Sequence, residues 1–361
     1  MVDVQTGVQF EEVRVRQKRS QLSFGEKLDA FVWRNLHIQP DNEIVKVLAT
    51  TTPLNIELIQ DDSCACIINL KRLNDVRSIT KFLQSVNGKL PRNGYYITRV
   101  ETKNQRVQNM MKRFPWPIGW LVCFADFMFH RVMPKIPFTR KAYYWATKGQ
   151  NRVLTFSETL GRLVSCGFGI ADHKEIDGYT WIAARKEQAP RYDDTPTYGM
   201  LVKLRRVGMD GKLINVYKLR TMHPYSEYLQ EYLFNQNGTS NGDKINGDFR
   251  VTSWGKIFRR LWIDEIPMIY NLIKGDLKLV GVRPLSNHKF GTYPEWLQKK
   301  RIDTKPGLVP PFYVDCPKTP EEFFESESNY IDAYKRNPIR TDTIYFFKAM
   351  HNILWNRVRS A

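Results

Sequence analysis

The feature that most constrains the fold is an alternation, between residues 64 and 186, of strand-length apolar runs with stretches of helical period. CACIINL (Cys64 to Leu70) is followed by DVRSITKFLQSVNGKL, whose spacing is helical, then by a turn from Pro91 to Gly94 and the strand-like YYITRVE. Further on, FSETLGRLVSCGF reads as a helix with Ser157 as its cap, and YTWIAARK reads as another strand. Strands interleaved with helices predict an α/β sheet. At 361 residues the chain is long enough for more than one core, and length alone favours two units. EQAPRYDDTPTYG (Glu187 to Gly199) is rich in proline and charge and has no periodicity, so it reads as a linker. The expected organisation is an N-terminal extension (1–40), an α/β unit (41–187), a linker (188–197) and a second unit (198–361).

The order of elements in the first unit resembles the C-terminal half of a Rossmann-type methyltransferase. No GxGxxG or similar loop precedes it, so the resemblance implies a degenerate scaffold that lacks the cofactor half. Inside this unit lies WPIGWLVCFADFMFHRVMPKIPF (Trp116 to Phe138), flanked by Lys112, Arg113, Arg140 and Lys141. Tryptophans at one end and basic flanks suit a segment that dips into one leaflet; a buried amphipathic helix fits the same residues. No run reaches the ~20 apolar residues of a membrane-spanning helix.

Charge narrows the partners. Lys and Arg number 55 against 37 Asp and Glu, a formal net charge of +18, which suits nucleic acid, an anionic membrane or phosphorylated substrates. The five cysteines, Cys64, Cys66, Cys123, Cys166 and Cys316, show no CxxC or zinc spacing and read as reduced core residues of a cytosolic compartment. The N-terminal residues lack a signal peptide's apolar core, so export is not expected.

Chemistry concentrates in RRLWIDEIPMIYNLIKGDLKLVGVRP (Arg259 to Pro284). Ser253 is the expected cap of a helix carrying Ile257, Leu261 and Trp262 on one side, and Pro267 is expected to break it at the adjacent acids. Successive helical residues diverge by about 100°, so Asp264 and Glu265 cannot share one proton face to face and suit two separate tasks. A carboxylate can attack phosphorus while a neighbour holds Mg²⁺. A solvated helix-end pair fits the bare dipeptide equally well.

The surrounding motifs decide more. RVGxxGK (Arg206 to Lys212), YKLRTM (Tyr217 to Met222), DFRVTxxG (Asp248 to Gly255), IDEIP (Ile263 to Pro267) and NLIKGDLKLVGVRP (Asn271 to Pro284) together resemble the bacterial sugar transferases, the polyprenyl-phosphate sugar-1-phosphate transferases or monotopic phosphoglycosyl transferases. The resemblance covers roughly the last 165 residues. It implies a compact α+β catalytic domain behind the degenerate Rossmann-like unit, a membrane-dipping segment, and residence at the cytoplasmic face of the bacterial inner membrane. It implies transfer of a sugar 1-phosphate from a UDP-sugar to polyprenyl phosphate (undecaprenyl phosphate), initiating a lipid-linked glycan. Carried over by position, Asp264 would be the nucleophile and Glu265 the Mg²⁺ ligand. Lys218, Arg220, Arg250, Arg259 and Arg283 would hold phosphate charge, supported by Asp248, Pro267, Asp276 and Pro284.

The chain departs from the family where Gly281-Val282-Arg283-Pro284 stands for GPRP and KPGLVPPFY for KPGITGWAQ. It departs again in the position of Trp116 to Phe138, about sixty residues upstream of where the family's membrane hairpin stands. His223 follows the YKLRTM strand, but carboxylate chemistry does not oblige a strong base there. Tyr330 and Tyr334 share a helical face and are expected in the core. TIYFFKAMHNILWNRVRS suits a packed terminal helix or a membrane surface. A homo-oligomer is compatible with these features. A non-catalytic membrane scaffold is the alternative function; nucleic-acid binding finds no recognisable module and is not expected.

Overall fold

The computed structural model describes residues 25–36, 44–190, 199–237, 239–240, 244–245 and 248–355. The expected linker, from residue 191, lies outside them. The chain forms two compact units, residues 1–198 with 223–232, and residues 199–222 with 233–361.

The first unit is mixed α/β. It contains α1 (Glu26–Leu36), β1 (Val45–Leu48), α2 (Leu54–Glu57), β2 (Cys66–Arg72), α3 (Ile79–Lys89), β3 (Tyr95–Val100) and α4 (Lys103–Arg113). Then come α5 (Ile118–Phe127), α6 (Pro137–Thr147), α7 (Phe156–Ser165), β4 (Phe168–Ile176) and β5 (Tyr179–Lys186). The sheet order is β1-β2-β3-β5-β4. β1, β2 and β3 are parallel, while β5 runs antiparallel to both neighbours. The central strands β2, β3 and β5 carry runs of consecutive buried residues because both sheet faces are covered there, whereas the edge strand β4 is largely exposed. On one face Ile68, Ile97, Trp181 and Ala183 pack with Leu28, Phe31 and Val32 of α1. The alternate residues Ile67, Tyr96 and Ile182 are fully buried on the other. Part of the stretch expected as an extension thus forms a wall of this core. The cap of α7 is Thr155, whose hydroxyl accepts from the Glu158 amide. Ser157, the expected cap, is instead the second residue of the helix, buried with its hydroxyl unpartnered.

Residues 116–138 are not a buried amphipathic helix. α5 continues through a π-helical turn (Met128–Val132) and a 3₁₀ turn (Met133–Lys135) into α6, and of α5 only Gly119 and Cys123 are buried. Trp116, Leu121, Phe124 and Phe138 are 79%, 68%, 65% and 93% exposed, a concentration of exposed large apolar side chains within one short segment. Asp126 survives in this apolar stretch because Arg106 grips both its oxygens at 2.6 and 2.7 Å. Among the described residues no helix is long and apolar enough to cross a membrane.

The second unit opens with a hairpin of β6 (Leu201–Val207) and β7 (Leu213–Leu219), closed as expected at Asp210 and Gly211, both at positive φ (55° and 71°). There follow α8 (Gln230–Asn237), β8 (Thr239–Ser240), β9 (Lys244–Ile245), α9 (Ser253–Arg260), α10 (Met268–Lys274), β10 (Lys278–Val280), α11 (Asn287–Gly291) and α12 (Glu295–Ile302). β11 (Gly307–Val309), α13 (Phe312–Asp315), α14 (Pro320–Arg336) and α15 (Pro338–Leu354) complete it. β10 and β11 pair in parallel. Their partners Val280 and Val309 join Val282, Phe312, Tyr313, Tyr330 and Ile331 in the main core.

Tyr330 is thus a core residue, as expected, and its hydroxyl donates to the Val280 carbonyl at 2.9 Å. α15 buries Ala349 while exposing Ile339 and Phe347. Four cysteines are buried and all five are free, but Cys316 is exposed, at φ 50° just past α13, and leaves the core set.

Candidate active site

The acids are placed by a close backbone approach. β7 runs on to Thr221, whose carbonyl accepts from both the amide and the hydroxyl of Thr252 at 3.0 Å. Thr252, one residue before the expected cap, is the true N-cap of α9: its hydroxyl accepts from the Gly255 amide at 2.9 Å. Gly255 faces the Thr221 carbonyl so closely that a Cβ there would lie 2.1 Å from its oxygen. α9 is therefore pressed onto the end of β7, and Arg259 on its last turn reaches back to donate to the Thr221 hydroxyl at 2.9 Å.

α9 stops at Arg260, earlier than the proline signal suggested. Trp262 adopts a left-handed conformation at φ 57°, costly for a bulky residue, and its ring packs 5.0 Å from that of Tyr313. Asp264 and Glu265 then occupy a single 3₁₀ turn (Ile263–Glu265), and Pro267 starts α10 rather than breaking α9. The apolar side of α9 faces outward: Ile257 and Leu261 are 56% and 62% exposed.

The two carboxylates do have different environments. Lys218 on β7 donates to Glu265 at 2.6 Å, with both side chains half-buried. Burial raises the Asp264 carboxyl above its ordinary pKa; the Lys218 charge opposes the rise, Glu265 adds to it, and Arg259 opposes it more weakly. Arg259 sits among the charges of Asp264, Asp248, Arg250 and Arg283. Arg250 clamps both oxygens of Asp248 at 2.8 and 2.7 Å, and although burial pushes the Asp248 carboxyl up, these bonds hold it below its usual value.

Lys218, Asp248, Arg250, Arg259, Asp264, Glu265 and Arg283 thus form one electrostatic neighbourhood. Arg220 is largely buried and donates to the Gly199 carbonyl at 3.0 Å. Asp276 receives Lys274 and Asn271 at 3.0 and 3.3 Å. Pro284 is buried beside the exposed Arg283. His223 belongs to the first unit, where burial and then the Arg131 charge press its imidazole down to about 4.

Several supporting residues have roles that only the structure reveals. Asn271, fully buried, ties β7 to α10 by accepting from the Tyr217 amide at 3.0 Å and donating to the Asn215 carbonyl at 2.7 Å. Arg301 is buried, pairs with Glu327, and donates to the Arg283 carbonyl at 2.5 Å, holding the backbone of the VRP corner. Gly281 and Gly307 touch backbone to backbone, a Cβ on Gly307 lying 2.1 Å from the Gly281 nitrogen. KPGLVPPFY therefore docks on the VRP corner and supplies Tyr313 beneath Trp262. Asn271, Gly281 and Gly307 sit inside quoted motifs; only their pairing needed the structure.

Residues 193–356 match the model of the family described as bacterial sugar transferase. The second unit belongs to the bacterial sugar transferase family. The galactosyl transferase CpsE of Streptococcus agalactiae is 38% identical over 105 residues, 29% of this chain and 23% of that protein. The undecaprenyl-phosphate galactose phosphotransferase of Salmonella typhimurium is 30% identical over 136 residues, 36% of this chain and 26% of that protein. The UDP-glucose:undecaprenyl-phosphate glucose-1-phosphate transferase of Caulobacter vibrioides is 34% identical over 113 residues, 30% of this chain and 38% of that protein. The sugar transferase unit thus aligns with less than half the length of each of these relatives. A SAM-dependent methyltransferase structure from Thermotoga maritima aligns with 37% of this chain and 61% of its own, at 12% identity and a TM-score of 0.23, which is too weak to carry an argument about the first unit.

Proposed function

We propose that the protein transfers a sugar 1-phosphate from a UDP-sugar to undecaprenyl phosphate, with Asp264 as the nucleophile. The observation that carries this reading is the split environment of the acids: Glu265 is taken by Lys218, while Asp264 stands beside it among cations. An Asp264 oxygen attacks the sugar-bearing phosphorus of the donor; an oxygen–phosphorus bond forms, the diphosphate bridge breaks, and UMP leaves. The acceptor's phosphate oxygen then attacks the same phosphorus, breaking the bond to Asp264 and restoring the carboxylate. Arg259, whose charge acts on Asp264, and Arg250 and Arg283, whose charges act on Arg259, would supply the positive charge that an anion attacking a diphosphate requires, several kcal/mol of stabilisation in all.

The donor set suits Mg²⁺. Asp264 and Glu265 offer hard carboxylate oxygens, and among the described residues no group of three or more His, Cys, Asp or Glu side chains could cage an ion. Glu265, whose Oε1 accepts from Lys218, has a second carboxylate oxygen with which it would hold the ion, together with phosphate oxygens and water, the usual arrangement for magnesium. When bound it would screen the diphosphate charge.

Membrane association is part of the proposal. Ile257 of α9, Leu261 just past its end, Ile266 before α10, and Ile269 and Ile273 within it are all exposed, and they bracket Asp264 in sequence. An apolar rim around the nucleophile suits a substrate whose phosphate rides on a polyprenyl chain. Exposed Trp116, Leu121 and Phe124 suit the same role in the first unit.

The test is Asp264→Asn, assayed by transfer of radiolabel from a panel of UDP-sugars into lipid and by trapping of labelled protein. Loss of both with an unchanged circular dichroism spectrum is expected. Undiminished transfer by the purified variant overturns the mechanism.

A further inference from the structure

The first unit contains a cavity of about 1200 Å³ whose lining includes nine lysines and arginines and one carboxylate, Glu158. Arg77 and Lys81 flank the start of α3. Arg131 and Lys135 come from the turns after α5, and Arg140, Lys141 and Lys148 from α6 and its end. Arg152, before α7, and Arg162, within it, complete the nine.

The single carboxylate does not balance these charges. Glu158 is already shared by Arg131 and Arg162. His130, also in the lining, supplies no negative charge, and burial and then the Arg106 charge hold its imidazole below the usual value. The first turn of α3 faces the same space, and its cap residue Ser78 makes no side-chain cap, so the helix's own positive end adds to the field. A second observation points the same way: Arg152 has a fully buried Nε–H without any partner, although its other nitrogens reach the Tyr144 hydroxyl and the Val76 carbonyl. Holding so many like charges around one space costs free energy through mutual repulsion and desolvation, unless a polyanion neutralises them.

We propose that this cleft of the first unit, whose lining includes none of the residues assigned above to sugar transfer, is a binding site for a multiply charged phosphate anion. The volume and the excess of cations exceed what a single phosphate needs and fit two or more phosphoryl groups or a phosphorylated headgroup. The rim carries Trp145, 85% exposed, on the helix that also exposes Phe138. A soluble polyphosphate and a phospholipid headgroup share the chemistry, and the experiment separates them.

The test uses the full chain. Inorganic tripolyphosphate is titrated calorimetrically, and in parallel the protein is sedimented with phosphatidylcholine vesicles with and without phosphatidylglycerol. The variant Lys81→Gln/Arg140→Gln/Lys141→Gln/Lys148→Gln removes four exposed cleft charges and leaves the Glu158 ion pairs intact. A control, Lys71→Gln/Arg92→Gln/Lys112→Gln/Lys174→Gln, removes four exposed charges of the same unit outside the cleft. The cleft variant is expected to lose at least about tenfold in affinity, ~1.4 kcal/mol, for at least one probe, while the control keeps wild-type affinity. Binding of tripolyphosphate identifies a soluble ligand; binding of phosphatidylglycerol vesicles alone identifies a headgroup. The proposal falls if the wild-type protein binds neither probe, if the cleft variant binds as the wild type does, or if the control loses as much as the cleft variant.

Discussion

Replacing Gly255 by alanine tests how the acids are positioned. An added Cβ would lie 2.1 Å from the Thr221 carbonyl oxygen and 2.6 Å from the Thr252 hydroxyl, where real Cβ contacts essentially never fall below 3.0 Å. Both neighbours are fixed: the carbonyl accepts two bonds from Thr252, and the hydroxyl caps α9. Relief therefore requires α9 to withdraw from β7 by nearly an ångström. Overpacking of this kind costs roughly 1–3 kcal/mol. The larger effect is on chemistry, because α9 carries Arg259 and leads through Trp262 into Asp264, while Lys218 stays on β7. A displacement of about 1 Å in a reacting constellation costs on the order of 10²-fold in rate. Gly255→Ala should lower the denaturation midpoint modestly and reduce transfer of labelled sugar to lipid by about two orders of magnitude. A variant with wild-type stability and wild-type transfer would refute the claim that this contact sets the register of the site.

Two further outcomes are expected. Asp264 must be ionised to attack, and because burial raises its pKa, transfer should be retained above that raised value and lost as pH falls through it; Lys218→Met removes an opposing charge and should move the acid limb upward. A pH–rate profile whose limb stays put or moves downward would contradict the assignment. In the first unit, Glu158→Ala leaves Arg131 and Arg162 buried without their shared carboxylate and should destabilise that unit by about 3–5 kcal/mol, read from chemical denaturation by tryptophan fluorescence. A change under 1 kcal/mol would mean the arginines find water or other partners.

Much of the local structure was legible because it rests on near-neighbour chemistry. The strands YYITRVE and YTWIAARK, the helix between Ser78 and Leu90, and the Asp210-Gly211 hairpin all stand where apolar period and turn residues put them. The caps moved by one or two residues, to Thr155 and Thr252, because a cap is chosen by which hydroxyl meets a free amide, and neighbouring Ser and Thr compete for it. The break before Asp264 was misplaced for a different reason. Pro267 can begin a helix as well as end one, and the chain turns earlier because Trp262 finds the Tyr313 ring in a segment some fifty residues away.

By itself the sequence determined the α/β order of the first unit, the hairpin and motifs of the sugar transferase unit, and the side-by-side acids, because each depends on residues within a turn or two of one another. Only the tertiary structure decided that Glu265 rather than Asp264 takes Lys218, that Asn271 and the Arg301–Glu327 pair hold the neighbouring backbone, and that nine cations of five separate chain segments line one cleft. Those choices depend on distances between residues far apart in the chain, and burial and charge act through space.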